Sequence, residues 1–230
     1  MAQHPGELLE RLTGALARRD PDQSLSGRLC ESYRELAGAD GAAITVDYNN
    51  PTRVTVCTTN SLVNRLEDLQ DVLGEGPGHT ASASGRIERC AVPGDPASRW
   101  PVFVESAREI VGSALIVAVP LQPETVVFGV ITLYQSPPSP LALDRHDLQF
   151  LAHVVGVALL SDQDAASSNL TSGPWASRAR IHQATGIVVA QLQVSPGDAL
   201  AVLRAHAYGQ QTTLAEIATA VVERRITFSL

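Results

Sequence analysis

The residues best suited to chemistry gather near the C-terminus, and the chemistry they suit is contact with a polyanion. Arg178, Arg180, Gln183 and Thr185 share one short stretch, and Arg204 follows further along. An arginine presents a planar fork of donors that fits phosphate oxygens and base edges. Ala184 and Gly186, within the same stretch, carry almost no side chain, so a nucleic-acid backbone or a neighbouring helix can come close. On these residues alone a plainer alternative stays open, in which the small residues pack and the arginines are merely solvated.

Catalytic chemistry finds little support. All 17 Lys+Arg positions are Arg. Without lysine there is no P-loop, no Schiff base or pyridoxal chemistry, no kinase phosphate-pairing residue and no phospho-receiver lysine. The histidines (4, 79, 146, 153, 182, 206) form no H-E-x-x-H, and no G-x-S-x-G occurs. The chain is therefore expected not to be an enzyme, with no catalytic residues, no metal site and no cofactor. Gly74-Glu75-Gly76-Pro77-Gly78 reads as a loop but not as a phosphate cradle, because Pro77 removes a backbone donor and no Lys follows. Trp100 and Phe103 are candidates to line a ligand pocket, against the commoner role of aromatics as core.

Elements that could position these residues follow from periodicity. Leu8, Leu12 and Leu16, then Leu25, Leu29, Tyr33 and Leu36, predict two amphipathic helices. Ala43–Val46 and Arg53–Thr58 read as strands joined across a turn-rich Tyr48–Pro51. Ser61–Leu73 predicts a helix with Leu62, Leu66, Leu69 and Leu73 on one face, and Val102–Glu109 a shorter one. Ser113–Pro120 and Val126–Tyr134 read as apolar strands, followed by a helix from about Asp144 to Leu160. This order predicts an α+β domain, an antiparallel sheet flanked by helices. On the last of these helices His146 and His153 stand at heptad spacing, which suits a dimer seam or a plain helix surface.

Residues 163–173 are polar and small and read as a linker. The text beyond is all helical. One helix presents Ile181, Ala184, Val188 and Leu192. A second starts at Ser195-Pro196-Gly197-Asp198, with Ser as N-cap and Pro in the first turn. A third starts at the capping box Thr213-Leu214-Ala215-Glu216. The chain thus divides into 1–162, a linker 163–173 and a three-helix unit 174–230. The unit holds five arginines against Asp198, Glu216 and Glu223, a net of +2, which leaves −9 for residues 1–173 in a chain of −7. No apolar stretch reaches the ~20 residues of a membrane span. The three cysteines are widely spaced and suit a reducing compartment, and the N-terminus has no signal-peptide pattern. A cytoplasmic location is expected.

The C-terminal unit resembles the ANTAR domain, an RNA-binding module of bacterial transcription antiterminators. The matching text is Arg180-Ile181-His182-Gln183-Ala184-Thr185-Gly186-Ile187-Val188-Val189, Ser195–Leu200, Leu203–Ala207, and Leu214–Ala218 with Val221-Val222. A common form of the pattern has Lys where this chain has Thr185. The front part resembles a GAF domain, through Leu73–Gly78, Arg99–Phe103, Pro120-Leu121 and Phe128–Tyr134. Relatives often carry Cys where this chain has Gly78, so a thiol role at that loop is not available.

The two resemblances together imply a GAF-like sensor domain ahead of an all-α ANTAR bundle. They imply a homodimeric, signal-responsive antiterminator whose partners are tandem RNA hairpins in transcript leaders and a small molecule at the sensor. Arg178, Arg180, Gln183, Ala184, Thr185, Gly186 and Arg204 would bind the RNA. Two other readings compete: a DNA-binding regulator, and a ligand-sensing or protein-interaction module without RNA binding. Against the first, the middle of the third helix has no basic or amide side chain to read base edges.

Overall fold

The computed structural model describes residues 4–47, 53–94, 99–123, 126–137, 139–162 and 174–229, with only the helical backbone given for 174–176 and 178. The predicted turn at Tyr48–Pro51 and the linker 163–173 lie outside the described residues.

The chain runs α1 (Pro5–Ala17), α2 (Leu25–Ala37), β1 (Gly41–Val46), β2 (Val54–Thr58), α3 (Ser61–Leu73), α4 (Pro77–Ser84), β3 (Glu88–Val92), α5 (Pro101–Val111), β4 (Ala114–Leu121), β5 (Gly129–Gln135), α6 (Arg145–Ser161), α7 (Pro174–Leu192), α8 (Pro196–Gly209) and α9 (Leu214–Val222). The strands form one antiparallel sheet in the order β2-β1-β5-β4-β3. This is the α+β architecture that the order of strand and helix patterns predicts.

The sheet is covered on both faces, which explains why β1 and β5 read as continuous apolar runs and not as alternations. Alternate residues still divide between the faces. Ile44, Val117, Val119, Ile131 and Leu133 meet Leu12, Leu29, Tyr33, Leu148, Leu151 and Val155 of α1, α2 and α6. Ala43, Ile116 and Tyr134 meet Val63, Leu66, Phe103 and Ala107 of α3 and α5. Tyr33 is fully buried, and its hydroxyl donates to the Leu148 carbonyl at 2.7 Å, which ties α2 to α6.

Two elements escaped the pattern reading. The Gly74–Gly78 stretch is not all loop, because α4 begins at Pro77, where a proline loses nothing by lacking an N–H. Strand β3 is a short edge strand whose Cys90 and Val92 are buried while Arg89 and Ala91 are exposed. Only two buried residues mark it as a strand.

The C-terminal helices pack around their own core of Ile181, Ala184, Val188, Leu200, Leu203, Ala207, Ile217, Ala218 and Val221. The predicted starts are present. Ser195 accepts from the Asp198 amide at 3.2 Å, and Thr213 and Glu216 complete a reciprocal capping box. Thr213→Ala removes one half of that box and should destabilise the bundle by about 1 kcal/mol, readable as a lower urea midpoint of its transition.

Candidate nucleic-acid interface

Helix α7 separates the candidate residues by face. Ile181, Ala184 and Val188 point into the bundle, and Ala184 is completely buried. Arg180, Gln183 and Gly186 are exposed, and three-residue steps bring them into one row on the helix. Arg180 Nη1 donates to Thr219 Oγ1 of α9 at 3.3 Å, which steadies the guanidinium at the edge of the row. Among the described residues a Cβ on Gly186 would meet nothing within 4 Å, so an incoming chain can approach the backbone there. Thr185 is buried and its hydroxyl donates back to the Ile181 carbonyl at 2.8 Å, satisfied within the helix. The Arg178 side chain lies outside the described residues.

Arg204 stands apart from this row. Its Nε donates to the Asp71 carbonyl at 3.0 Å, in α3 of the front domain. Asp71 is in the last turn of α3, where carbonyls lack intrahelical partners and the helix dipole favours a cation. Gly74 ends α3 in the left-handed conformation (φ +66°), and a Cβ there would fall 2.8 Å from Arg204 Nη1. Burial pushes the Arg204 guanidinium below its ordinary pKa, with Asp71 acting against that shift. Val72, the neighbouring residue of α3, is only 7% exposed and belongs to the core of the C-terminal bundle. Sequence periodicity missed this contact. The sign available was an apolar residue off the Leu62–Leu66–Leu69–Leu73 stripe.

Beside Arg204 a cavity of about 180 Å³ lies between the domains, lined among others by Arg53, Asp68 and Asp71 from the front and Ile181 and Leu214 from the bundle. Burial pushes Asp71 up to about 7, against the pull of Arg53. Burial and then the Glu67 and Glu216 carboxylates push Asp68 up to about 6. Burial and the Arg53 and Arg204 charges lower His79 to about 3, so it stays neutral at ordinary pH while its Nε2 lies 3.0 Å from the Gln70 carbonyl.

Under this seam runs a buried polar network. Glu67 accepts from Thr45 Oγ1 (2.9 Å), Gln70 Nε2 (2.8 Å) and Arg53 Nη2 (3.3 Å). Gln70 Oε1 in turn accepts from the Gly78 amide at 2.7 Å. A Cβ on Gly78 would lie 2.8 Å from Arg53 Nη2 and 2.9 Å from Gln70 Oε1. The network therefore fills the space where a thiol could stand.

Trp100 and Phe103 both sit in the core between the sheet and α5, at 6% and 0% exposure. The Trp100 indole donates to Thr80 Oγ1 at 2.9 Å, and the Phe103 amide donates to Glu75 Oε1 at 3.0 Å. Tyr208 is 52% exposed, while His206 meets Phe228 edge-on at 5.5 Å. His146 and His153 are both exposed on α6, whose surface also carries Val157 and Leu160. Among the described residues no three His, Cys, Asp or Glu side chains converge as metal ligands, and no single helix is long and apolar enough to cross a membrane.

No curated protein matches this chain at a significant level. Several solved structures are similar to it. One is the nlh2 GAF domain of A. aeolicus in an inactive state, at 17% identity over 66% of this chain and 90% of that one, TM-score 0.42. Another is the GAF-B domain of DevS from Mycobacterium smegmatis, at 17% over 72% and 100%, TM-score 0.40. A third is the GAF domain/HD domain protein of Geobacter sulfurreducens, at 12% over 69% and 97%, TM-score 0.44. The family model described as the ANTAR domain matches residues 175–222, which span α7, α8 and α9. The C-terminal three-helix bundle of this chain is an ANTAR domain.

Proposed function

We propose that this chain is a signal-responsive, cytoplasmic RNA-binding antiterminator that holds hairpins of a nascent transcript and so keeps a terminator from forming. The observation that carries this reading is the ANTAR match over α7–α9 together with the exposed row Arg180, Gln183 and Gly186 on α7. Arg180 and Gln183 contact phosphates and unpaired base edges, Gly186 leaves room for the RNA backbone, and Arg178 and Arg204 add positive charge. Ala184 and Thr185 serve from inside, by packing and by satisfying their own helix, so they shape the surface more than they touch RNA.

The bundle carries a net charge of only +2, so one copy binds weakly. A homodimer offers two linked bundles to two linked hairpins and gains by effective concentration. The exposed Val157 (46%) and Leu160 (52%) on α6 support such a dimer. The front domain, whose sequence resembles GAF sensors, receives a small molecule on the side of the sheet that holds Trp100 and Phe103.

The test is a gel-shift titration of the full chain against a tandem-hairpin RNA from its own operon leader, a single hairpin and a duplex of the same leader. Selective binding of the tandem RNA is expected. Arg180→Ala should weaken it and flatten the slope of log K against log salt by about 0.7–0.9 for each phosphate that is no longer neutralised. Equal binding to the duplex would sink the RNA reading in favour of a DNA regulator. A second reading, a sensing or interaction module without RNA binding, rests on Arg204, which is engaged by the front domain and not free on the bundle surface.

A further inference from the structure

The contact between Arg204 and α3 joins a residue proposed for RNA to the end of a helix in the other domain. Four observations meet there. Arg204 Nε bonds the Asp71 carbonyl at 3.0 Å. Gly74 keeps clear the space its guanidinium occupies, since a Cβ would stand 2.8 Å from Nη1. Val72 inserts from α3 into the core of the bundle. Glu75, the next residue but one after Leu73, accepts the Phe103 amide at the start of α5, so the turn that seats Arg204 is fastened to the candidate sensor region.

An arginine held this way cannot offer its full fork to a phosphate at the same time. Its Nε is committed to a backbone carbonyl, and its guanidinium is half-buried against a turn. Moving Arg204 to RNA must leave the last turn of α3 without its cation, and lifting the bundle must expose Val72.

We infer that this structure is a latched form of the protein, in which the C-terminal turn of α3 (Asp71, Val72 and Gly74) competes with RNA for the ANTAR bundle by occupying Arg204. The inference rests on the RNA reading above. It adds the site of control, a surface of the front domain that RNA must displace. The turn also gives the sensor a direct lever, because Gly74 and Glu75 lie between the α3 carbonyls and α5.

The latch is tested in the full chain with Val72→Glu, which puts a charge into the bundle core contact and touches no residue proposed to meet RNA. Small-angle scattering reads opening as a rise in radius of gyration, and the gel shift reads affinity for the tandem RNA. Opening with RNA affinity raised roughly 5–150-fold, the usual span of a coupling between sites, is the expected result. An unchanged radius, or an open chain with wild-type affinity, overturns the latch. An open chain that binds no RNA at all overturns the antiterminator reading instead, and with it the masking of Arg204. Should Val72→Glu fail to fold, the wild type decides: saturation with the RNA must raise both its radius and the amide exchange of residues 70–74. RNA bound without either change overturns the latch.

Discussion

Glu67→Ala should cost the front domain about 3–5 kcal/mol, the usual penalty for stripping one partner from a buried ion pair. The side chains of Arg53 and Glu67 are only 5% and 1% exposed, so neither charge can turn to water when the other is removed. Removing the carboxylate also takes Oε2 from Thr45 Oγ1 and Oε1 from Gln70 Nε2. Among the described residues Arg53 Nη1 has no hydrogen-bond partner, and Asp71, at 3.8 Å, is its second counter-charge. The double substitution Arg53→Met with Glu67→Met takes both charges away together, and it should cost less than Glu67→Ala alone. Urea denaturation followed at the front-domain transition measures both. A Glu67→Ala cost below 1 kcal/mol, or a double variant worse than the single, would show that the pair is solvated and the network is not what holds α3 on β2.

This network also marks where sequence reading stops. Most helices other than α4 were legible from their apolar residues, and α8 and α9 also from a start signal. The Ser195 cap and the Thr213–Glu216 box stand where their residue types require them. Strands β1, β4 and β5 were legible as apolar runs. Glu67 and Arg53 were not, since a carboxylate on a helix and an arginine at a strand start are ordinary surface residues until a fold buries them. The candidate RNA residues divide for the same reason. Spacing along α7 puts Ala184 inside and Gln183 outside, but no spacing reveals that Arg204 leaves its own bundle to cap a helix more than a hundred residues earlier. That bond also makes Arg204→Ala an ambiguous test of RNA binding. It removes a phosphate ligand and a latch together, and the two effects oppose each other, so Arg180→Ala is the cleaner probe.

The latch should loosen as pH rises from about 5 to 7. The bundle packs beside Asp68 and Asp71, which are half-buried at the seam, and loss of water is the main reason their carboxyls rise from ordinary values near 3.8 to about 6 and about 7. A group whose pKa is raised by docking favours the docked form while it is protonated. That support is complete below the ordinary carboxylate range and is lost as pH climbs through 6 for Asp68 and 7 for Asp71. Between the free and docked pKa values each carboxylate can shift the docking constant by up to about tenfold per pH unit. The other charges facing the seam among the described residues do not reverse the sign. Arg53 and Arg204 pull Asp71 down but less than burial raises it. Glu216, held low by hydrogen bonds from Thr212 and Thr213, is charged throughout and repels Asp68, as does Glu67. His79, lowered to about 3, stays neutral over the whole window. Scattering of the wild type across pH 5 to 8 should therefore show the chain opening up to about pH 7 and levelling off above it. Asp68→Asn with Asp71→Asn should keep it closed and flatten the curve. These amides leave Arg204 its carbonyl partner, because the bond to α3 is made by the backbone of Asp71 and not by its side chain. A wild-type radius indifferent to pH, or a double variant that opens over the same window, would show that the seam does not titrate with its bundle.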